Sequence, residues 1–213
     1  MGGDGAGLRA VRLAVTWDET PEAGAWIAER LAPFGPTVGH AVPLGYEAYA
    51  VVPVERFGDL IGVLGPCTGE QLVHCGMWEG FGWWLDSGRS EIGLYWEEGD
   101  TPTQDEIDAA IARARAWARA QWPERPDVAP LQLPGRGYYL WTGPLNDVLA
   151  FARVAEDPPS VVWPEDRSWF LGTPIYTNEI AVGGSHELVA VLCADDALAA
   201  RVVQPDDDLD IDD

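Results

Sequence analysis

The chain contains no lysine. Its 13 basic residues are all arginine, set against 35 Asp and Glu, for a formal net charge of −22 over 213 residues. Arginine stays protonated in proteins and cannot serve as a neutral amine nucleophile. This excludes Schiff-base chemistry, pyridoxal phosphate anchoring, the P-loop and kinase lysines, and Ser-Lys dyads. Cysteine is scarce: Cys67, Cys75 and Cys193 form an odd set without paired spacing, which argues against a disulfide framework. With His74 they show no metal-ligand spacing, so no zinc site is expected. No cofactor fingerprint is present, and no cofactor is expected.

Positive charge is too sparse for nucleic acid or an anionic membrane surface, both of which are held by Lys and Arg. A basic protein remains a fitting partner, because a field of this sign steers basic surfaces towards it. No apolar run approaches the ~20 residues of a membrane span. No basic, apolar and cleavage-site sequence of a signal peptide is visible, and the expectation is a cytoplasmic protein.

What is present reads as a folded α+β chain: 47% of residues are hydrophobic and 23% charged. The expectation is a single domain over residues 8–204, between a flexible Gly-rich start at 1–7 and a disordered acidic tail at 205–213. Strands are predicted at Leu8–Thr16, Tyr46–Val54, the first half of Leu72–Trp84, Ile92–Trp96, Gly137–Trp141, Trp169–Tyr176, Asn178–Val182 and Arg201–Val203. Pro174 places the Trp169 strand near a sheet edge. A helix opens at Thr20-Pro21-Glu22, with Thr20 as cap and Pro21 in the first turn. Phe57–Leu64 is either a short helix or a buried turn.

The strongest helix spans about 102–122, where Thr103 and Glu106 form a capping box and arginines gather towards the far end. Leu145–Val154 and a helix capped by Ser185 complete the set. Irregular alternation and short connections imply a mixed or mainly antiparallel sheet with three to four helices packed on it. The one Pro-rich connection, Pro123–Pro134, reads as a link within one fold.

Tryptophan is the surplus residue, at 11. Most lie inside predicted elements and read as core. Trp83, Trp84 and Trp163 sit in Gly- or Pro-rich surroundings that favour exposure, and with Trp78 and Arg167 they are the candidate ligand- or partner-binding residues. Trp163-Pro164-Glu165-Asp166-Arg167-Ser168-Trp169 concentrates acids, an arginine and two tryptophans on one turn. There Arg167 either clamps a carboxylate ligand or pairs internally with Asp166 or Glu79. Glu79 lies among large apolar residues and, with Asp166, is the candidate general acid or base. Gly183-Gly184-Ser185 before a helix reads as a turn plus N-cap rather than as an anion site.

Gly45-Tyr46-Glu47-Ala48-Tyr49, Trp78-Glu79-Gly80-Phe81-Gly82-Trp83, Leu133-Pro134-Gly135-Arg136 leading to Gly143-Pro144-Leu145, Trp163–Trp169 and Val182-Gly183-Gly184-Ser185 form an ordered set. Together, from about Trp26 to Val203, they resemble a family of acidic, Trp-rich bacterial proteins of unknown function from high-GC genomes. The resemblance implies no activity and no catalytic residues. On the residues themselves the first expectation is a protein-interaction module that neutralises a basic partner, as acidic immunity-type proteins do. That reading leans against an enzyme. The alternative is a small enzyme or ligand binder in which Glu79, Asp166 and Arg167 converge in a Trp-lined pocket.

Overall fold

The computed structural model describes residues 15–81, 102–121, 125–155, 157–175 and 177–210. The strands expected at Leu8–Thr16 and Ile92–Trp96, the loose start at 1–7, and Trp83 and Trp84 lie outside these residues or nearly so. Contacts divide the chain into two compact units, Met1–Val15 with Gly80–Arg125 and Thr16–Glu79 with Pro126–Asp213.

The fold is α+β. Among the described residues there are eight strands: β1 Ala48–Pro53, β2 Leu72–Trp78, β3 Leu131–Leu133, β4 Arg136–Pro144, β5 Val161–Pro164, β6 Phe170–Gly172, β7 Glu179–Gly184 and β8 Arg201–Val203. They form one sheet in the order β3-β4-β2-β5-β6-β7-β1-β8. Every pairing is antiparallel. The helices are α1 Ala25–Ala28, α2 Val38–Ala41, α3 Phe57–Thr68, α4 Gln104–Gln121, α5 Leu145–Ala155 and α6 His186–Ala194. Two of these are single turns; the helices expected after Thr20, at 102–122, at 145–154 and after Ser185 correspond to α1, α4, α5 and α6.

Helix α4 belongs to the first unit. Its capping box is formed as the sequence requires: the Thr103 amide donates to Glu106 Oε2 at 2.8 Å, and the Glu106 amide donates to Thr103 Oγ1 at 3.4 Å. The Thr103 amide and the Thr103 hydroxyl, both donating to Glu106 Oε2, hold that carboxyl below its usual range. Ile107, Ile111 and Ala114 are its half-buried stripe.

The sheet lies wholly in the second unit and is covered on both faces. On one face Tyr49, Val51, Leu140, Val161, Trp163, Phe170 and Ala181 pack with Ile27 of α1, Val38 and Ala41 of α2 and Leu209 near the C-terminus. The alternate residues Val73, Cys75, Met77, Val162, Leu171, Ile180 and Val182, all buried, point the other way by the two-residue strand period. Helices α3, α5 and α6 contact that second face. The amphipathic run after Pro53 therefore settles as a helix and not a turn, and it continues through Pro66 to Thr68.

Four local expectations are corrected. Strand β6 is interior, between β5 and β7, because it stops at Gly172 before Pro174 can remove a ladder hydrogen bond. Gly172 is also where α2 crosses closest: a Cβ there would overlap the Ala41 carbonyl oxygen. The helix after Thr20 opens with a 3₁₀ turn, Glu22–Gly24, and receives no side-chain cap. Strand β5 was missed because its four residues end in Trp-Pro and show no alternation.

The tail is the fourth correction, since Pro205–Asp210 is docked. The Val38 amide donates to the Asp207 carbonyl at 3.0 Å, the Gly39 amide to that of Pro205 at 2.7 Å, and the Leu209 amide to that of Pro36 at 2.7 Å. Leu209 is 4% exposed. One buried leucine and a set of backbone bonds order a segment whose composition alone argues for disorder.

Candidate functional site

The residues singled out from sequence do not form one site. Glu79 follows β2, and its amide donates to the Gly137 carbonyl at 2.9 Å. Asp166 lies beyond β5, and its partner Gln71 precedes β2. Glu79 and Asp166 are thus at opposite ends of β2, roughly 20 Å apart at the rise of an extended strand. They cannot act on one substrate atom. Trp163 is fully buried, not exposed: it pairs across β2 with His74 and stacks on Phe170 with ring centroids 5.7 Å apart. Trp78 is half-buried, with the Arg136 guanidinium 5.5 Å from its ring.

Asp166 is a turn residue. One carboxylate oxygen accepts from the Ser168 amide at 2.9 Å and the other from Gln71 Nε2 at 2.9 Å. Burial pushes its carboxyl up, but these hydrogen bonds outweigh that and hold it below the usual range. This Asx turn sets Arg167 in the left-handed region at φ 58°. Arg167 pairs with neither Asp166 nor Glu79. Its guanidinium lies 4.8 Å from the ring centroid of Trp26, and that of Arg30 lies 5.6 Å from the same ring. Trp26 in turn packs edge-on against Trp163 and Phe170.

This arrangement borders a cavity of about 380 Å³ lined by Trp26, Arg30, Leu44, Tyr46, Glu47 and Arg167, with Ser168 and Ser185 at its margin. Among the described residues neither arginine has a carboxylate within ion-pair distance. The Tyr46 hydroxyl is buried and has no hydrogen-bond partner, and neither does the Trp26 indole N–H. Burial, then the neighbouring Tyr49, pushes the Tyr46 phenol up, while Arg30 and Arg167 pull it down, so the phenol stays protonated near neutrality as a donor.

Three devices hold the cavity. The Tyr49 hydroxyl accepts from the Gly45 and Tyr46 amides at 3.0 and 3.2 Å and donates to the Pro43 carbonyl at 3.2 Å. Gly183 makes room for the Tyr46 ring, since a Cβ there would come within 2.6 Å of it. Ser185 caps α6, its Oγ accepting from the Leu188 amide at 3.1 Å, as the Gly-Gly-Ser sequence led us to expect. Tyr49→Phe leaves two amides without their acceptor and is expected to cost about 1–3 kcal/mol in urea unfolding. It also loosens the Tyr46 loop.

One strand away, His74 Nδ1 lies 2.8 Å from Thr142 Oγ1, which donates to Asp18 Oδ2 at 3.0 Å. Because Thr142 gives its proton to Asp18, His74 is the donor to Thr142. Burial pulls the His74 pKa below its ordinary 6.5, helped by Arg167 and opposed by Asp18 and Glu165. His40 is lowered likewise, by burial and then by Arg136. Each histidine is charged more readily in the unfolded chain, so stability falls as pH drops through 6.5 towards the lower folded values. The Asp166 contribution fades only below its ordinary 3.8. Urea midpoints between pH 7.5 and 5 should therefore decline, and His40→Asn should flatten part of that slope.

Sequence reasoning found Arg167 and missed Arg30, Tyr46 and Trp26 as its companions. Gly45-Tyr46-Glu47 and Gly183-Gly184-Ser185 stood out as a set without a stated reason for being together. The pairing of β1 with β7, which matches Ala48 to Gly184, is that reason. No metal-ligand cluster of His, Cys, Asp and Glu occurs among the described residues, and none of their helices is long and apolar enough to cross a membrane. No protein-family model, curated protein or solved structure matches the chain.

Proposed function

We propose that the protein binds a small anionic molecule in the cavity beside Trp26. The observation that carries this reading is the pair of guanidiniums, Arg30 and Arg167, on one tryptophan without carboxylate partners, in a chain of net charge −22. In so acidic a protein an unpaired arginine has many carboxylates available, and two left open on one cavity are set for an external acid. The volume lies in the range of small-molecule sites, and Ser185 adds a hydroxyl at its margin. A ligand binder using Arg167 in a Trp-lined pocket is kept from the sequence reading, without Glu79 and without Asp166 as ligand contacts. The test is titration of anions into wild-type protein and into Arg30→Gln and Arg167→Gln variants by calorimetry.

A second reading, the interaction module for a basic partner, draws its support from the net charge alone. It expects a basic protein to be captured from lysate at low salt and released as salt rises. Binding to an anionic partner, or to nothing at either salt, speaks against it.

A further inference from the structure

Among the described residues Glu47 is the one carboxylate lining the arginine cavity, and it does not pair with either arginine. Instead its Oε2 accepts from the His186 amide at 3.1 Å, at the start of α6. We infer that Glu47 is a built-in electrostatic competitor, and that the ligand is a phosphate monoester whose dianionic group, held by both guanidiniums, outweighs the repulsion from this neighbouring charge. This rests on the anion-binding reading above.

Glu47 sits on an exposed loop next to Tyr46 and lines the cavity, so its negative charge stays near the arginines while its carboxylate is held by the His186 amide. A ligand offering one carboxylate sets a single charge against this repulsion. A ligand with two negative charges on one centre gains from both guanidiniums at once and outweighs the single charge of Glu47. The donors come from separate elements: Arg30 after α1, Arg167 between β5 and β6 and Ser185 before α6. Donors spread in this way suit the three terminal oxygens of a phosphate better than the flat edge of a carboxylate. Leu44 and the Trp26 ring supply apolar wall for the esterified part.

The second carboxylate oxygen of Glu47 has no hydrogen-bond donor among the described residues, and its tie to α6 is a single bond at the protein surface. Glu47→Gln keeps an oxygen for that amide and removes only the charge.

The experiment is calorimetric titration at pH 7.5 and fixed ionic strength with phenyl phosphate, benzoate and inorganic phosphate. Wild type should bind phenyl phosphate more tightly than benzoate, which shares the ring but carries one charge, and more tightly than inorganic phosphate, which lacks the ring. Glu47→Gln should tighten phenyl phosphate by about three- to tenfold, and Glu47→Ala by at least as much. Unchanged or weaker binding of phenyl phosphate by both Glu47 variants overturns the competitor role. Benzoate or inorganic phosphate binding as tightly as phenyl phosphate overturns the monoester assignment. If Arg30→Gln and Arg167→Gln leave phenyl phosphate binding intact, or no variant binds any of the three, the anion-binding reading itself fails.

Discussion

Replacing Trp163 by alanine should destabilise the protein by about 3–5 kcal/mol, enough to leave a large unfolded fraction if total stability is ordinary. Trp163 has no solvent exposure. It stacks on Phe170 at 5.7 Å, lies 5.3 Å from the His74 ring and receives the edge of Trp26 at 6.3 Å. Neighbours in three different elements cannot all relax into the space left behind, so a cavity term adds to the lost transfer energy. Urea unfolding monitored by far-UV circular dichroism reads the loss directly. A change under about 1 kcal/mol would mean that the aromatic stack is not the keystone of this face. The same variant should weaken ligand binding, because Trp26, which both arginines face, leans on Trp163.

The double variant Arg30→Gln, Arg167→Gln should lose anion binding by about 100-fold or more, while each single variant loses roughly tenfold. Hydrogen bonds to charged groups contribute about 1.5–3 kcal/mol each, and a guanidinium offers two to an oxyanion. Stability should hardly change, since neither arginine has an ion-pair partner among the described residues to leave stranded. This combination separates a binding role from a structural one: intact urea midpoints with absent binding support the site. Intact binding sinks it. Rising salt should weaken wild-type binding and leave the double variant indifferent.

Local signals were the legible part of the sequence. The Ser185 cap, the Thr103–Glu106 box and the strand over Ala48–Pro53 each follow from neighbours within a few positions, and all are found. What sequence hid was long-range. Trp163 was read as exposed because its neighbours include proline, whereas its environment is set by His74 and Phe170, which arrive through sheet pairing. Glu79 and Asp166 looked like partners because both are acids near tryptophan, and strand β2 holds them apart. Arg167 was legible as unusual, but Arg30 was indistinguishable from any arginine late in a helical stretch. Net charge misled in the same way: a total says nothing of where the few positive groups gather.

The place of β1 in the sheet has a consequence for how the chain is made. Its neighbours are β7 and β8, with Ala48 matched to Gly184 and Tyr49 to Val203. At the ~5–20 residues per second of protein synthesis, the apolar stretch Ala48–Pro53 emerges on the order of ten seconds before any strand that can hydrogen-bond to it. Strands β2, β4 and β5 can meanwhile assemble among themselves, so the sheet is completed from the middle outwards and closed last at its β1–β8 edge. During that wait β1 is a bare, aggregation-prone edge. The nascent chain, more than the finished protein, is where a chaperone would have most to protect.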